Sequence, residues 1–432
     1  MRRFAAEEGG LVKGVCLIIL LLFLGCRGPP NSETESADCD AGYEDKSQAG
    51  RPEDSAKATP KHQWQAAWPD PEAVPALYRE FNGFLRTPDA YEKRIRRDAV
   101  GYPEGAIFAV ALPAYGFANY ALAHPESAGE CRQNIERLIE LASQQWVRHW
   151  LESPMQEDPV TLRRWNGHGA FLGHYGLMLA CYRLAGGDGR FADRQRQIAD
   201  VLRQGFRANP SGAWVSSYPQ RAWLFDSQPA LLAVRLSDVQ NAGDLDDSAR
   251  LLRDHLKYRQ TIALDKASGF PASEIDCRTG KPRVGPRGCD LSGTLCFLGH
   301  LAPDHCRDLY ARYKKTFWIE KGAGDLKLCG FREWPLGTAG TMDIDSGPIL
   351  FDIGAAASGF GLGATRFAAD AAAHRALLAT LDQMRLTADT AQPLLQAFIE
   401  GLVVSKDYHY RHLMADAVAF YCLTWRPWCD PP

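Results

Sequence analysis

The feature of this chain that most constrains its fold is a succession of helical segments from residue 61 onward, which are of two alternating kinds. Apolar residues recur every three or four positions, which is the period of a helix and not of a strand. One kind is apolar and rich in Gly and Ala, as in residues 109–125, and the other is amphipathic with one charged face, as in residues 132–151. The alternation predicts an all-α fold with an inner and an outer layer of helices.

The number of these segments favours one architecture. About a dozen helices in roughly 370 residues predict an (α/α)6 barrel, a double layer of about twelve helices. An α-solenoid is the competing architecture, but no repeat of fixed period is visible. We therefore interpret residues 61–432 as a single barrel domain. Barrels of this type place their sites at the wide end, in the loops that lead into the inner helices.

The amino terminus predicts the compartment. Arg2, Arg3 and Lys13 precede an apolar core, residues 15–24, which is too short for a comfortable membrane span. The core ends in Gly25-Cys26 and resembles a bacterial lipobox, so residues 1–25 are expected to be a lipoprotein-type signal peptide and Cys26 the lipidated residue. An uncleaved single-span anchor is the alternative. Both readings place the rest of the chain in the cell envelope, anchored to a membrane and facing the periplasm or the exterior.

Residues 26–60 are predicted to be a disordered acidic tether behind the lipidated cysteine. Between residues 27 and 60 the chain carries eight acids and four bases, with one aromatic residue and almost no aliphatic ones. Such a segment cannot bury enough apolar surface to fold. Since the whole chain has a formal net charge of -3, residues 61–432 are near neutral. No clustered basic face is visible, and a nucleic-acid partner is therefore not expected.

The cysteines predict disulfides. Ten of the 12 cysteines follow Cys26, and an extracytoplasmic chain with so many is expected to oxidise them. Cys277 with Cys289 is the first candidate pair, because turn residues between them can bring the ends together. Two further candidates by proximity are Cys422 with Cys429 and Cys296 with Cys306. A zinc site is the competing interpretation, but no CxxC or HxxxH pair occurs, and no metal is expected.

One loop concentrates the most chemistry. Residues 332–348 place Glu333, Asp343 and Asp345 with Trp334 in a stretch rich in Gly, Pro and Thr, just before an apolar segment. Ser346 is a good helix N-cap, so we expect the carboxyl groups outside the start of a buried helix. Crowded carboxyl groups repel one another, and at least one pKa is expected to rise, which provides an acid and a base near neutral pH. The alternative is a solvated acidic loop that caps a helix.

A second polar loop precedes another apolar helix. Trp165, Asn166 and His168 lie just before the apolar residues 171–187. The helix dipole disfavours an imidazolium at a helix start, and a neutral imidazole can act as a general base. The alternative is a core histidine that bonds to neighbouring backbone. His174, further along the same helix, is interpreted as packed within the helix bundle.

A third polar loop is residues 214–228. Asp226 opens an apolar helix there, after Ser217, Tyr218 and Trp223. As an N-cap, Asp226 has a complete structural explanation. Contact with a substrate is the alternative, because carboxyl groups at helix starts are often functional.

Several blocks of the chain resemble linalool dehydratase-isomerase. The likeness covers most of residues 75–370 and is best at residues 165–191, 196–234, 109–125 and 337–347. The resemblance implies an (α/α)6 barrel and, in the family enzyme, elimination of water and migration of a hydroxyl group on a monoterpene alcohol without metal or organic cofactor.

The resemblance also implies site residues. His168 falls on the family's catalytic histidine. The two active-site cysteines of the family are not matched, and Ser217 and Asp226 stand nearest to them. Glu80 or Asn82 is the candidate for the catalytic aspartate. Tyr115, in the early inner helix, is the candidate for a further substrate contact.

These observations predict a cofactor-free acid/base enzyme of the hydro-lyase or isomerase type, with His168, Asp226, Asp343, Asp345 and Glu80 as catalytic candidates. A carbohydrate-active enzyme, glycosidase-like or lyase-like, is an alternative, since inverting glycosidases also use two carboxyl groups. A ligand-binding lipoprotein without catalysis is the other alternative. The expected substrate is a small-molecule alcohol or a glycan. The candidate substrate-binding residues are Trp165, Asn166, Ser217, Tyr218, Trp223, Glu333, Trp334 and Tyr115. The sequence does not indicate the oligomeric state.

Overall fold

A computed structural model describes most of the second of two compact units into which the chain divides, residues 1–59 and residues 60–432. The described residues are 71–99, 102–155, 158–162, 168–209, 211–218, 220–323, 326–338, 340–382 and 413–429. The predicted signal peptide, the tether, Cys26, Trp165 and Asn166 lie outside the described residues.

The described part of the chain is mostly helical with few short strands, which confirms the all-α prediction. The helices are α1 (Ala73–Arg86), α2 (Pro88–Asp98), α3 (Gly105–Ala123), α4 (Ala128–Ala142), α5 (Gln145–Met155), α6 (Gly169–Leu184), α7 (Ala192–Ala208), α8 (Leu224–Asn241), α9 (Leu245–Gln260), α10 (Gly288–Leu298), α11 (Pro303–Phe317), α12 (Ala355–Phe367), α13 (371–382) and α14 (Leu413–Thr424). Short 3-10 turns occupy Pro125–Ser127 and Pro159–Thr161.

The strands form small antiparallel sheets between helices. A three-stranded sheet joins β1 (Arg221–Trp223), β2 (Glu274–Asp276) and β3 (Pro282–Val284) in that order. The other strands pair as hairpins: β4 (Trp318–Ala323) with β5 (Leu326–Phe331), and β6 (Ile349–Leu350) with β7 (Ile353–Gly354).

Six of the described helices contact one another in a cycle. Helix α3 packs on α6, α6 on α8, α8 on α10, α10 on α12, α12 on α14, and α14 on α3. These are the apolar helices of the sequence pattern. The amphipathic helices contact members of the cycle: α4 packs on α3 and α6, α7 on α6 and α8, α9 on α8, and α11 on α10.

Small residues bring the helices of the cycle close together. A Cβ on Gly173 in α6 would lie 2.9 Å from the backbone nitrogen of Ala230 in α8, which is closer than real Cβ contacts. Helix α3 has no charged residue and is buried along nearly its whole length. By length and composition it is the one described helix that could cross a membrane, but it is mostly buried against its neighbours, as expected of a core helix.

Two helix starts differ from the sequence prediction. The apolar stretch after Ser346 does not begin a helix at once, because residues 349–354 form the β6–β7 hairpin and α12 begins at Ala355. Gly347, Phe351 and Asp352 have positive φ, which a continuing helix excludes. Asp226 is not an N-cap: α8 begins at Leu224, so Asp226 lies in its first turn.

Candidate functional site

The N-terminal ends of the cycle helices are joined by polar contacts between residues far apart in sequence. Tyr102, just before α3, donates a hydrogen bond to Asp345 at 3.1 Å. Tyr218, before α8, donates to the carboxylate of Glu104 at the start of α3. The N–H of Gly169, which opens α6, donates to the carbonyl of Ser216 at 2.8 Å. We call this region the mouth.

Arg287 organises the acidic side of the mouth. This residue precedes α10 and is buried. Its Nε donates to Glu333 at 2.7 Å and its Nη2 to Asp343 at 2.6 Å, and its Nη1 lies 3.8 Å from Asp345. One guanidinium therefore draws together the three carboxyl groups that the sequence placed in one loop.

The carboxyl groups around Arg287 differ in their pKa values because their surroundings differ. Burial acts to raise the pKa of Asp343, but Arg287 and the backbone N–H of Ser346 outweigh it, so the pKa is lowered. The pKa of Asp345 is raised by burial and by the neighbouring charge of Asp343. Burial also raises the pKa of Glu333 in spite of Arg287. The sequence prediction of at least one raised pKa in this loop agrees with this pattern.

Asp226 is the buried acid of the mouth. It is 5% exposed, and burial raises its pKa to about 8. The charges of Glu104, Asp345 and Asp290 act in the same direction, while the hydroxyl of Ser217 opposes them. Ser217 is itself fixed, because its Oγ accepts the backbone N–H of Trp223 at 2.9 Å. At neutral pH Asp226 is therefore mostly protonated.

A further buried carboxyl group, that of Asp290, lies close enough for its charge to raise the pKa of Asp226. Asp290 is in the first turn of α10 and is 5% exposed. Burial raises its pKa to about 7, against the opposing charges of Arg259 and Arg287. Glu104 likewise has a raised pKa, chiefly through burial, although the hydrogen bond from Tyr218 lowers it.

The mouth is graded from an open rim to a buried floor. Asp343 is exposed, and Tyr102, Glu104 and Asp345 are half-buried. The floor is formed by side chains that are nearly inaccessible, namely Asp226, Arg287, Asp290 and Glu333. Solvent or a ligand can therefore reach the rim carboxylates directly.

Two tryptophans flank the guanidinium. The Cζ atom of Arg287 lies 5.8 Å from the ring centroid of Trp223 and 5.3 Å from that of Trp334. Both rings are half-buried. The indole Nε1 of Trp334 donates to the carbonyl of Thr341 at 3.2 Å, which orients this ring within its loop. These aromatic surfaces lie beside the carboxyl groups.

The predicted disulfide between Cys277 and Cys289 is not formed, and both side chains are free thiols. Cys289 Sγ donates to Glu333 Oε1 at 3.0 Å, whereas Cys277 Sγ lies 3.5 Å from Ser216 Oγ. The two thiols therefore lie beside different partners, Ser216 for Cys277 and Glu333 for Cys289, and not beside each other. Burial raises the pKa of the Cys289 thiol well above its usual value.

His168 lies at the start of α6, as predicted, and is fully buried. The hydrogen bond of the next residue to Ser216 joins it to the segment that carries Ser217 and Tyr218. Its imidazole lies near Asp158. Burial acts to raise the pKa of Asp158, but Arg148 outweighs it, with a smaller lowering contribution from His168. That His168 shares one cavity with the aspartates stays a prediction.

Two further candidates lie away from the mouth. Glu80 is on an exposed face of α1, and the neighbouring Asn82 is buried and donates to Glu130 at 2.7 Å. Tyr115 lies in the middle of α3, where its hydroxyl is 2.9 Å from His174 Nδ1. In the part of the chain that the structure describes, these hydrogen bonds join Asn82 and Tyr115 to partners other than the carboxyl groups of the mouth.

The sequence did not identify four residues of the mouth, namely Tyr102, Glu104, Arg287 and Asp290, and it identified Cys289 only as a disulfide partner. A signal was present, because each lies where a polar segment meets an apolar helix that begins with glycine, Gly105 or Gly288. This is the pattern that identified the other three loops. Glu333 was predicted to contact substrate, but it is buried and bonded to Arg287 and to the N–H of Cys289.

Comparison with known proteins finds no family model that matches this chain, and no curated protein matches it. The function proposed below therefore rests on the geometry of the mouth.

The mouth offers acid, base and orienting groups within one constellation. Asp226 can donate a proton at neutral pH, and the half-buried Asp345 can accept one while Tyr102 orients it. In the part of the chain that the structure describes, no group of three or more His, Cys, Asp or Glu side chains has the arrangement to hold a metal ion. The prediction that no cofactor takes part stays untested.

Proposed function

We propose that the cycle of six helices is the inner layer of an (α/α)6 barrel, and that the mouth is the active site at its wide end. The closed order of contacts from α3 through α14 and back supports this architecture. The position of the polar residues at the N-terminal ends of five of these helices supports the placement of the site.

The reaction we infer is a cofactor-free acid/base elimination or isomerisation on a small-molecule alcohol. The observation that carries this proposal is the buried Asp226, whose pKa of about 8 provides a protonated carboxyl group among carboxylates. A general acid is most effective when its pKa lies near the working pH. The rim carboxylate Asp345 is the proposed base, and Tyr102 positions it.

The proposed chemistry balances without a cofactor. Asp226 gives its proton to the departing hydroxyl group, the C–O bond breaks, and water leaves. Asp345 takes a proton from the neighbouring carbon, and the electron pair of that C–H bond forms the double bond. Return of water at the other end of the double bond, with the two roles reversed, moves the hydroxyl group.

Incubation of the purified full chain with a panel of allylic and tertiary alcohols tests this proposal, with products followed by gas chromatography and mass spectrometry. We expect Asp226→Asn and Asp345→Asn to lower turnover at least about 100-fold, the usual range for loss of a general acid or base. Asp304→Asn, an exposed change in α11, is the matched control and should leave turnover unchanged. If the Asp226→Asn variant kept the turnover of the wild type, Asp226 would not be the general acid.

A carbohydrate-active enzyme is the second candidate, and the half-buried Trp223 and Trp334 favour it, because indole faces suit sugar rings. Two carboxyl groups with room for water between them would support inverting hydrolysis. Oligosaccharides belong in the same substrate panel, with release of reducing ends as the readout. The carbohydrate-active candidate would be favoured if the protein converted oligosaccharides but not alcohols. The Trp223→Ala variant should then lose the turnover of oligosaccharides.

We also propose that the chain is a lipoprotein of the cell envelope. The lipobox-like ending at Cys26 supports this proposal. Mass spectrometry of the mature protein from a bacterial host is expected to find a lipid-modified Cys26 as the first residue, and Cys26→Ala should abolish the modification. A chain that binds alcohols or glycans without converting them would favour the non-catalytic lipoprotein instead.

A further inference from the structure

The cycle helices bring two buried cysteines together at a point away from the mouth. Cys296 belongs to α10 and Cys422 to α14, and both are fully buried. The two helices both pack on α12, where Gly363 faces the two sulfurs. A Cβ on Gly363 would lie 2.6 Å from Cys296 Sγ and 3.1 Å from Cys422 Sγ. The absence of a side chain at Gly363 is therefore what gives the two thiols room to meet.

Other contacts hold the same two helices in register at this point. The hydroxyl of Tyr421 and the indole nitrogen of Trp425 both donate to the carbonyl oxygen of Cys296, at 3.2 and 2.7 Å. Both side chains are free thiols in this structure, and they are close enough to hydrogen-bond each other. Disulfide formation requires two Cβ atoms to approach across a narrow range of distance, so fixed backbone on both sides favours it.

We propose that Cys296 and Cys422 form a disulfide that links α10 to α14 when the chain folds in an oxidising compartment. This pair differs from those that sequence proximity favoured, because its members lie 126 positions apart along the chain. The proposed location in the cell envelope supplies the oxidising surroundings. The inference does not depend on the proposed enzyme activity.

The chemistry is thiol–disulfide exchange with a small-molecule disulfide as the oxidant. One cysteine thiolate attacks the oxidant, forms a mixed disulfide and releases the first thiol. The second cysteine attacks the mixed disulfide, forms the Cys296–Cys422 bond and releases the second thiol, so two protons and two electrons leave the protein. Burial raises the pKa of the Cys296 thiol well above its usual value, so the exchange should occur during folding rather than on the folded chain.

The bond would fix the last helix of the cycle. Residues 383–412 separate α13 from α14 in sequence, and the structure does not describe them. A covalent link from α14 to α10 would prevent α14 from detaching locally from the other helices of the cycle. Its expected signature is slower release of C-terminal fragments in limited proteolysis of the oxidised protein.

The test refolds the reduced full chain in buffer that contains oxidised and reduced glutathione. Remaining thiols are then blocked with N-ethylmaleimide, and unreduced peptides are mapped by mass spectrometry. We expect the Cys296–Cys422 linked peptide to be the dominant pair. Its loss in Cys296→Ser and in Cys422→Ser, with a lower melting temperature than the oxidised wild type, would support the assignment. Cys181→Ser, another buried cysteine in α6, is the matched control and should keep the link.

Two outcomes would overturn the proposal. One is recovery of both Cys296 and Cys422 as maleimide adducts from soluble, folded protein. The other is a dominant link from Cys296 to Cys306, the pair that sequence proximity favoured. The same mapping on protein isolated from an oxidising compartment of a bacterial host gives a second reading if refolding from denaturant fails. Gly363→Ala should block the bond, because its Cβ would contact both sulfurs.

Discussion

At the scale of single residues, Asp226 couples the chemistry of the mouth to the stability of the fold. Its pKa rises from an ordinary 3.8 to about 8 on folding, chiefly through burial. A carboxyl group with a raised folded-state pKa contributes its full stability below the unfolded pKa. That contribution is lost as the pH rises from about 4 to about 8. At alkaline pH the ionised side chain of the buried Asp226 therefore destabilises the folded protein.

We accordingly predict that Asp226→Asn stabilises the protein at alkaline pH. The gain in free energy of unfolding should be near zero at pH 4 and on the order of 5 kcal/mol at pH 9, as linkage requires for a rise in pKa from 3.8 to about 8. Urea unfolding at both pH values measures it. Asp343→Asn is the control of opposite sign, because its pKa is lowered and its loss should destabilise at pH 7. If the gain in free energy of unfolding from Asp226→Asn were the same at both pH values, the raised pKa of Asp226 would be contradicted.

Arg287 shows the cost of removing one partner from a buried network. The side chains of Arg287 and Glu333 are 2% and 0% exposed. We predict that Arg287→Met destabilises the protein by about 3 kcal/mol, because Glu333 stays buried without its cation. Arg307→Met, which removes an exposed pair with Asp304, should cost less than about 1 kcal/mol. Equal losses for the two variants in denaturant unfolding would contradict the role of Arg287.

At the scale of elements, the sequence was informative wherever a pattern was long. Apolar spacing over ten or more residues predicted the helices, because a 3.6-residue period is repeated several times within each. Strands β1, β2 and β3 have three residues each, which is too short for a two-residue period to be visible. The same shortness hid strand β3, which lies between Cys277 and Cys289.

The start of α10 depends on glycine. Gly288 donates its N–H to the carbonyl of Glu333 at 2.7 Å, and a Cβ on it would lie 1.9 Å from the carbonyl oxygen of Arg332. We predict that Gly288→Ala costs about 3 kcal/mol or more, as overpacking against backbone does. It should also lower turnover, because Arg287 and Cys289 move with the helix start.

Gly83→Ala is the matched control for this prediction. Gly83 lies inside α1, and a Cβ on it would meet nothing within 4 Å. Alanine is favoured over glycine in an open helix position, so this change should stabilise the protein by about 0.5–1 kcal/mol. Melting curves of the two variants measure the difference. If Gly288→Ala did not lower the melting temperature, the start of α10 could shift without loss of stability.

At the scale of the whole molecule, the mouth exists only because the cycle closes. Tyr102 and Asp345 are 243 residues apart and share a hydrogen bond at 3.1 Å. Local patterns predicted that each loop precedes an apolar helix, and the expected barrel predicted that such loops meet. They could not identify Arg287 as the residue that holds three carboxyl groups together, because that role depends on contacts between separate loops.

The closed cycle of helices also predicts how α14 contributes to the stability of the fold. Helix α14 packs on both α3 and α12, and its Phe420 lies against Phe117 of α3 with ring centroids 5.2 Å apart. A chain that ends at residue 382 would expose the apolar sides of both helices. We predict that it loses cooperative unfolding and binds a hydrophobic dye, because a cycle with one member missing has no partner for those surfaces. A chain that begins at residue 60 is the control, because it keeps every described helix of the cycle, and its melting curve should match that of the full chain. Cooperative unfolding of the chain that ends at residue 382 would show that five helices suffice and that closure by α14 is dispensable.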